Sequence, residues 1–391
     1  MPLDLDATRL RFPGLQTDWV LLDNAGGSQI LATAADRIRE CLLTSHVQVG
    51  GTYAASKLVG ERVASAMAAL ARWINADPSE LLVGPSTTQI LQNLSLAMAP
   101  LFKPGDEVVV TDVDHESNIG PWTRLADRGV QVKVWKLRRE SLELHADDLA
   151  RLVTKRTRLV AFAQVSNVLG HVNPVHQAVK LAHDAGAWAL LDGVAFAPHR
   201  KVDVRALDAD FYVLSLYKVF GPHQALLYGR RDLLARLASI NHDFLPADKF
   251  PAKLQPGGMN FELVAGSGAV PDYFDSTSYD AIAEHETALA HRVLSFLRSK
   301  RNVRIIGRPT ADRDRMPTIS FVVDGRDASS IPPLTDPAKV GIKCGDFYAR
   351  RLCDALGLTA RGGVVRASMV HYNTLGEMDR LCAALDVALG A

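Results

Sequence analysis

Residues 158–193 read RLVAFAQVSNVLGHVNPVHQAVKLAHDAGAWALLDG. A short, largely apolar run gives way to Asn and Gly, a helical pattern opens at Pro174, Gly186 closes it, and a second apolar run ends in Asp192-Gly193. Strand, helix, strand in that order is the signature of a parallel βαβ unit. The alternation continues on both sides. LLVG (81–84) precedes TTQILQNLSLAM (87–98), EVVVTD (107–112) and VQVKVW (130–135) follow, and DFYVLS (210–215) and ALLYGR (225–230) lead into RDLLARLASI (231–240). The runs are nearly continuous rather than alternating, as expected of strands covered on both faces by helices. The expected fold class is therefore α/β, on a mainly parallel sheet, with ligands bound where strands end in loops.

Beyond this layer, residues 241–280 are rich in Pro, Gly and isolated charges, which places a domain boundary there. Next come an amphipathic helix (278–300), a strand PTISFVVDG (317–325), a helix over about 347–356, a strand VVRASMV (364–370) and a closing helix. The expected division is a large unit over 21–254 and a small α+β unit over 255–391, with 1–20 packing on the small one.

The 391 residues include 44 Lys plus Arg against 43 Asp plus Glu, so no global field gathers nucleic acid or an anionic membrane, and a small partner is expected. The opening MPLDLDATRLRFPG lacks the layout of a secretory signal, and no apolar run of about 18 residues occurs. Cys41, Cys344, Cys353 and Cys382 form no CxxC pair, which argues against a disulfide framework or a structural zinc site. A reducing, cytoplasmic setting without a metal centre is expected. No GxGxxG or GxxxxGK[ST] follows a strand, so nucleotide binding has no support.

Candidate chemistry collects at the strand ends. Lys218, just past DFYVLS, is a lysine whose partly desolvated amine can serve as the neutral nucleophile of a Schiff base. Asp192, 26 residues earlier, ends WALLD and can keep a pyridine nitrogen protonated, which makes the ring an electron sink. Ser86, Thr87 and Thr88 open a helix, where free N–H groups and hydroxyls cradle phosphate. His115 follows EVVVTD and can stack on a planar cofactor and shuttle protons. Asn167 can donate to a phenolic oxygen or a carboxylate, and the planar fork of Arg366 suits a substrate carboxylate. Each alone has an ordinary reading as a loop, capping or surface residue. Together, on one layer, they are the residue types that pyridoxal 5′-phosphate chemistry requires.

These strings resemble the class V aminotransferase group, specifically its cysteine desulfurase-like branch. VSNVLG (165–170), LLDGVAFAPH with VDVRALDADFYVLSLYKVFGP (190–222), and VRAS with YNT (365–374) carry the resemblance, which runs from LDNAGG near Asp23 to the last helix. It implies fold type I of the pyridoxal-phosphate transferases, with a large cofactor domain and a smaller C-terminal one in a homodimer. It makes Lys218 the Schiff-base lysine, Asp192 the partner of the pyridine nitrogen and His115 the stacking residue. Thr87, Thr88 and Ser215 become phosphate ligands, Asn167 a cofactor or substrate contact, and Arg366 the carboxylate anchor.

Three positions depart from the family pattern. Tyr217 stands where a histidine usually precedes the lysine and retains a hydroxyl for phosphate. Ala195 replaces a glutamine, leaving Asn167 to serve the cofactor's phenolic oxygen alone. Aligned on Gly345, the persulfide-forming cysteine of the desulfurases falls on Tyr348, with Cys344 four residues earlier. The leading expectation is C–S cleavage of cysteine or a cysteine derivative without an enzyme persulfide, whether or not a separate protein accepts the sulfur. The alternatives are transamination, epimerisation or another carbon-centred reaction, with Tyr348 and His371 shaping the pocket and His371 a possible second acid/base, or a catalytically inactive binding protein of the same fold.

Overall fold

The computed structural model describes residues 3–245 and 250–390; part of the Pro/Gly-rich stretch, residues 246–249, therefore lies outside the described residues. Seven strands form the main sheet in the spatial order Leu81–Gly84, Ala225–Gly229, Phe211–Ser215, Trp188–Asp192, Thr157–Ala163, Glu107–Thr111 and Gln131–Trp135. The last five run parallel, and Ala225–Gly229 is antiparallel to both neighbours. Alternate side chains feed two cores. Ala189 and Leu191 face one layer of helices, and Leu190 faces the other. All three are fully buried, each leucine contributing about 2 kcal/mol of transfer free energy. This double burial explains the continuous apolar runs.

The topology also decides where reactive groups meet. Gly84 and Ser215 both register with Ala225, so the helix Thr87–Met98 starts beside the end of Phe211–Ser215. Ala163 registers with Asp192, which brings the ends of those two strands to the same edge.

The small unit is a four-stranded antiparallel sheet ordered Lys343–Gly345, Val364–Ser368, Thr318–Val323, Val303–Ile306. The helices Tyr279–Arg298 and Leu375–Leu389 pack on it. Ser278 caps the first, and Thr374 caps the second in a capping box with Glu377. Two short helices, Phe261–Ser267 and Ala269–Asp275, follow the boundary expected at 254/255 yet pack back on Ala32–Thr44 and Ala54–Trp73. Gly266 permits that approach, since a Cβ there would lie 2.9 Å from Ala34 O and 2.4 Å from Ile38.

The N-terminal segment touches both units. Arg9 Nη1 donates to Tyr372 O and to Glu377 on the small one, while Phe12 packs edge-on against Phe220, two residues past Lys218, and against Tyr273. The helix expected from Phe347 starts only at Arg350, because Phe347 and Tyr348 take left-handed backbone angles, φ 51° and 59°. Among the described residues no helix is long and apolar enough to cross a membrane.

Candidate active site

At the carboxyl edge of the main sheet lies a cavity lined by Ser86, Thr87, Thr88, His115, Ser117, Asn167, Asp192, Ala195, Ser215, Tyr217 and Lys218, among others. Nine of the twelve site residues singled out from sequence are therefore brought to one place: Ser86, Thr87, Thr88, His115, Asn167, Asp192, Ser215, Tyr217 and Lys218.

One wall is a hydroxyl cradle. Ser86 caps the helix by accepting from Gln89 N at 3.1 Å, and Thr87 Oγ1 lies 2.8 Å from Ser215 Oγ. Helix N–H groups and two hydroxyls on the positive end of the helix dipole form an anion site. Tyr217 stacks on His223 with ring centroids 5.0 Å apart and adds a phenol to the same wall.

Opposite stand the titrating groups. Asp192 is buried, accepts from Val194 N at 2.9 Å, and has no salt-bridge partner among the described residues. Burial pushes its pKa up to about 6, against the opposing pull of the Val194 N–H and of Lys218. Lys218 sits in the short turn Leu216–Lys218, where desolvation, with a smaller push from the Arg366 cation, lowers its amine to about 8. Near neutral pH part of this lysine is thus the free amine.

His115 is held in one tautomer. Ser117 N–H donates to Nδ1 at 3.1 Å and Ser117 Oγ lies 2.8 Å from the same nitrogen, leaving the ring proton on Nε2. Burial, with the nearby Lys218 and Arg366 charges, lowers its pKa to about 4, so the ring is neutral at physiological pH. Behind it, Asp114 is buried, bonded to Thr111 Oγ1 at 2.5 Å and Asn118 Nδ2 at 2.7 Å, and desolvation raises it to about 7.

The remaining three sequence candidates lie outside the cavity lining. Arg366 is buried beside it: Nη2 pairs with Asp23 Oδ1 at 2.8 Å, Nη1 donates to Asn167 O at 3.1 Å, and the Phe347 ring covers the guanidinium with its centroid 3.7 Å from Cζ. Tyr348 is 71% exposed and tilts over His115 at a centroid distance of 5.1 Å. Glu116 N donates to its carbonyl at 2.7 Å, and Asn167 Nδ2 donates to Phe347 O at 2.9 Å. His371 is buried elsewhere, in an aromatic cluster. Its Nε2 is 2.5 Å from Tyr273 Oη and Phe220 meets it edge-on, which accounts for its burial without pocket contact. Asp23, Asp114, Ser117 and Phe347 belong to the site or its support and were not singled out from sequence. Asp23 and Arg366 are 343 residues apart, so no local pattern marks the pair.

Cys344 lies on Lys343–Gly345, in register with Val365, while its neighbour Lys343 registers with Arg366. Side chains alternate across a strand, so Cys344 faces the small-unit core and Lys343 shares the face of Arg366. Burial raises the Cys344 thiol, and Cys41, Cys353 and Cys382 are buried. Among the described residues no thiol lines the cavity.

The family model described as "Aminotransferase class-V" matches residues 20–381. The chain is 38% identical to an aminotransferase-like protein, FGM3, of Gibberella zeae, over 98% of each chain. It is 32% identical to the cysteine desulfurase-like protein ustD of Aspergillus flavus, over 98% of this chain and 90% of that protein. The crystal structure of the cysteine desulfurase CsdA of Escherichia coli superposes with a TM-score of 0.89 at 26% identity, covering 100% of this chain and 99% of that one. The large sheet with its helical layers is accordingly that of fold type I.

The cavity fits the cofactor of such enzymes, pyridoxal 5′-phosphate. A buried carboxylate in no ion pair among the described residues asks for a protonated nitrogen, the hydroxyl cradle for a phosphate, and Asn167 Oδ1, buried with no partner among the described residues, for a hydrogen-bond donor, while its Nδ2 already donates to Phe347 O. When bound, the cofactor supplies the electron sink for charge at a substrate Cα. Lys218 would be the amine to hold it, Asp192 would face its ring nitrogen, Thr87, Thr88, Ser215 and Tyr217 would serve its phosphate, and His115 would cover its face.

Proposed function

The chain belongs to the class V aminotransferase family, and from that premise we propose that it acts at Cα and Cβ of a small amino acid, cleaving a C–S bond of cysteine or a cysteine derivative and releasing sulfur without a protein persulfide. Cysteine chemistry is supported by the likeness to cysteine desulfurase-like proteins, and its persulfide-free form by the absence of any thiol from the cavity among the described residues, with Tyr348 over His115 and Cys344 facing the core of the small sheet. Sulfur leaving Cβ then departs as a thiol or sulfide. Arg366 holds the substrate carboxylate, with Asn167 beside it. Lys218, once displaced by the substrate amine, is the base at Cα and the acid at the departing sulfur, a role suited to an amine whose pKa lies near the working pH. The electrons of the Cα–H bond thereby expel sulfide, and the carbon product is an unsaturated amine that hydrolyses to pyruvate and ammonia. The active form is a cytoplasmic homodimer.

A carbon-centred reaction on another amino acid is the second reading, favoured by the same lack of a sulfur acceptor. An inactive binding protein would leave the buried Asp192 and the perturbed Lys218 without a purpose. One experiment separates these. The purified holoprotein is titrated with L-cysteine and a panel of amino acids while the cofactor's visible spectrum, sulfide, pyruvate and alanine are followed. A spectral change with cysteine and release of sulfide supports the lyase. A response to other amino acids with none to cysteine moves the assignment to the second reading.

Two expectations follow for the reactive side chains. Cys344→Ser should leave turnover within about twofold of the parent, because a thiol turned into the core reaches no substrate. Loss of sulfide release with cofactor retained would reinstate a protein persulfide. The rate at which apoprotein captures cofactor should rise with pH through about 8, because only the neutral form of Lys218 is nucleophilic. Stopped-flow absorbance measures it, and a rate independent of pH between 6 and 9 would contradict the assignment.

A further inference from the structure

Arg366 is 2% exposed, and its donors are unequally occupied. Nη2 is taken by Asp23 and Nη1 by Asn167 O, whereas Nε is buried and has no partner among the described residues. Leaving a buried N–H unpaired costs more than a hydrogen bond contributes, so the free Nε is the donor of this guanidinium that an incoming acceptor would satisfy. One flat face of the guanidinium is closed by the Phe347 ring at 3.7 Å.

The ring is kept there against the preference of its own backbone. Phe347 and Tyr348 are consecutive non-glycine residues at positive φ, fastened by Asn167 Nδ2 donating to Phe347 O, Glu116 N donating to Tyr348 O and Tyr348 N donating to Asp346 Oδ1. Such conformations persist where the surroundings over-determine them, and they collect at ligand clamps. Phe347 packs on the edge of the main core and turns its ring to the anchor rather than to the lining of the cofactor cavity.

We propose that Phe347 is a specificity-determining residue: by capping one face of Arg366 it leaves the Nε edge as the approach for an α-carboxylate and limits the side-chain bulk that accompanies it. This rests on the reading of Arg366 as the carboxylate anchor. Two consecutive strained residues place a rigid aromatic wall against the guanidinium, and a wall of that kind discriminates by the methylene.

The test uses the holoprotein. Phe347→Ala and Phe347→Leu are titrated with glycine, L-alanine, L-cysteine, L-leucine and L-phenylalanine, reading the cofactor's spectral change as binding, with cofactor content measured separately. The expected result is that leucine and phenylalanine gain at least about tenfold relative to glycine and alanine in Phe347→Ala, with a smaller gain in Phe347→Leu. An unchanged affinity ratio, a uniform weakening of all five, or loss of cofactor from both variants overturns the proposal. Arg366→Lys distinguishes the underlying reading. If it leaves every affinity at the parent value, the anchor assignment itself fails, and if it weakens all five by about tenfold or more while the Phe347 ratios stay flat, only the role of Phe347 fails.

Discussion

Lys218→Ala is expected to abolish the visible band of the bound cofactor and to lower turnover by at least about 10³-fold, the combined loss of a covalent attachment and of a positioned acid/base. The amine sits in the turn directly after Phe211–Ser215, and desolvation brings its pKa to about 8. None of the other side chains lining the cavity is an amine, so nothing replaces it among the described residues. Cofactor held only by the hydroxyl cradle and Asp192 should bind the variant reversibly and dialyse away. Absorbance before and after dialysis reads this directly. A band that survives in the variant would remove Lys218 from the centre of the site, whereas partial rescue of turnover by added primary amines would identify the missing group as the proton carrier.

The second large effect is expected at Asp192. Asp192→Asn keeps an oxygen for the Val194 N–H but removes the charge facing the cavity, and turnover should drop on the order of 10² to 10³-fold, as when a preorganised electrostatic partner is deleted. The pH dependence carries the sign. Burial raises the carboxyl above its usual range to about 6, so it is ionised above that pH and protonated below it. Affinity of the apoprotein for the cofactor should therefore weaken as pH falls through about 6 in the parent, and this step should be absent from Asp192→Asn. His115 is no competing source of that step, since it stays neutral down to about pH 4. A parent affinity that is flat between pH 5 and 7.5 would show that Asp192 does not meet a protonated ring nitrogen.

Much of the fold is legible along the chain because its signals are local. The runs 81–84, 188–193 and 210–215 become strands within a residue of where their apolar pattern places them, and Ser86, Ser278 and Thr374 mark helix starts through their capping chemistry. The grouping of Lys218, Asp192, His115 and Thr87 is legible for a related reason. In a parallel sheet every strand delivers its carboxyl end to the same edge, so residues just past apolar runs converge whatever their separation in sequence.

Other features depend on contacts between distant segments. His371 stands five residues from Arg366 and reads as a pocket residue, yet the turn after Val364–Ser368 carries it into the cluster of Tyr273 and Phe220. The helices Phe261–Ser267 and Ala269–Asp275 follow a Pro/Gly-rich break that looks like a boundary, but their apolar faces are buried against Ala32–Thr44 and Ala54–Trp73. The pairing of Asp23 with Arg366 and the stacking of Phe347 on that guanidinium leave no periodic trace at all.

The sequence by itself determined the α/β layer, the helix start at Ser86 and the set of reactive side chains at one sheet edge, because periodicity, capping and strand direction are written in neighbouring residues. Only the tertiary structure decided which donors of Arg366 remain open, which face Cys344 presents, and how far Asp192, His115 and Lys218 are shifted from their ordinary pKa values. Those properties follow from burial and from charges brought together across hundreds of residues, and desolvation has no counterpart in a linear chain.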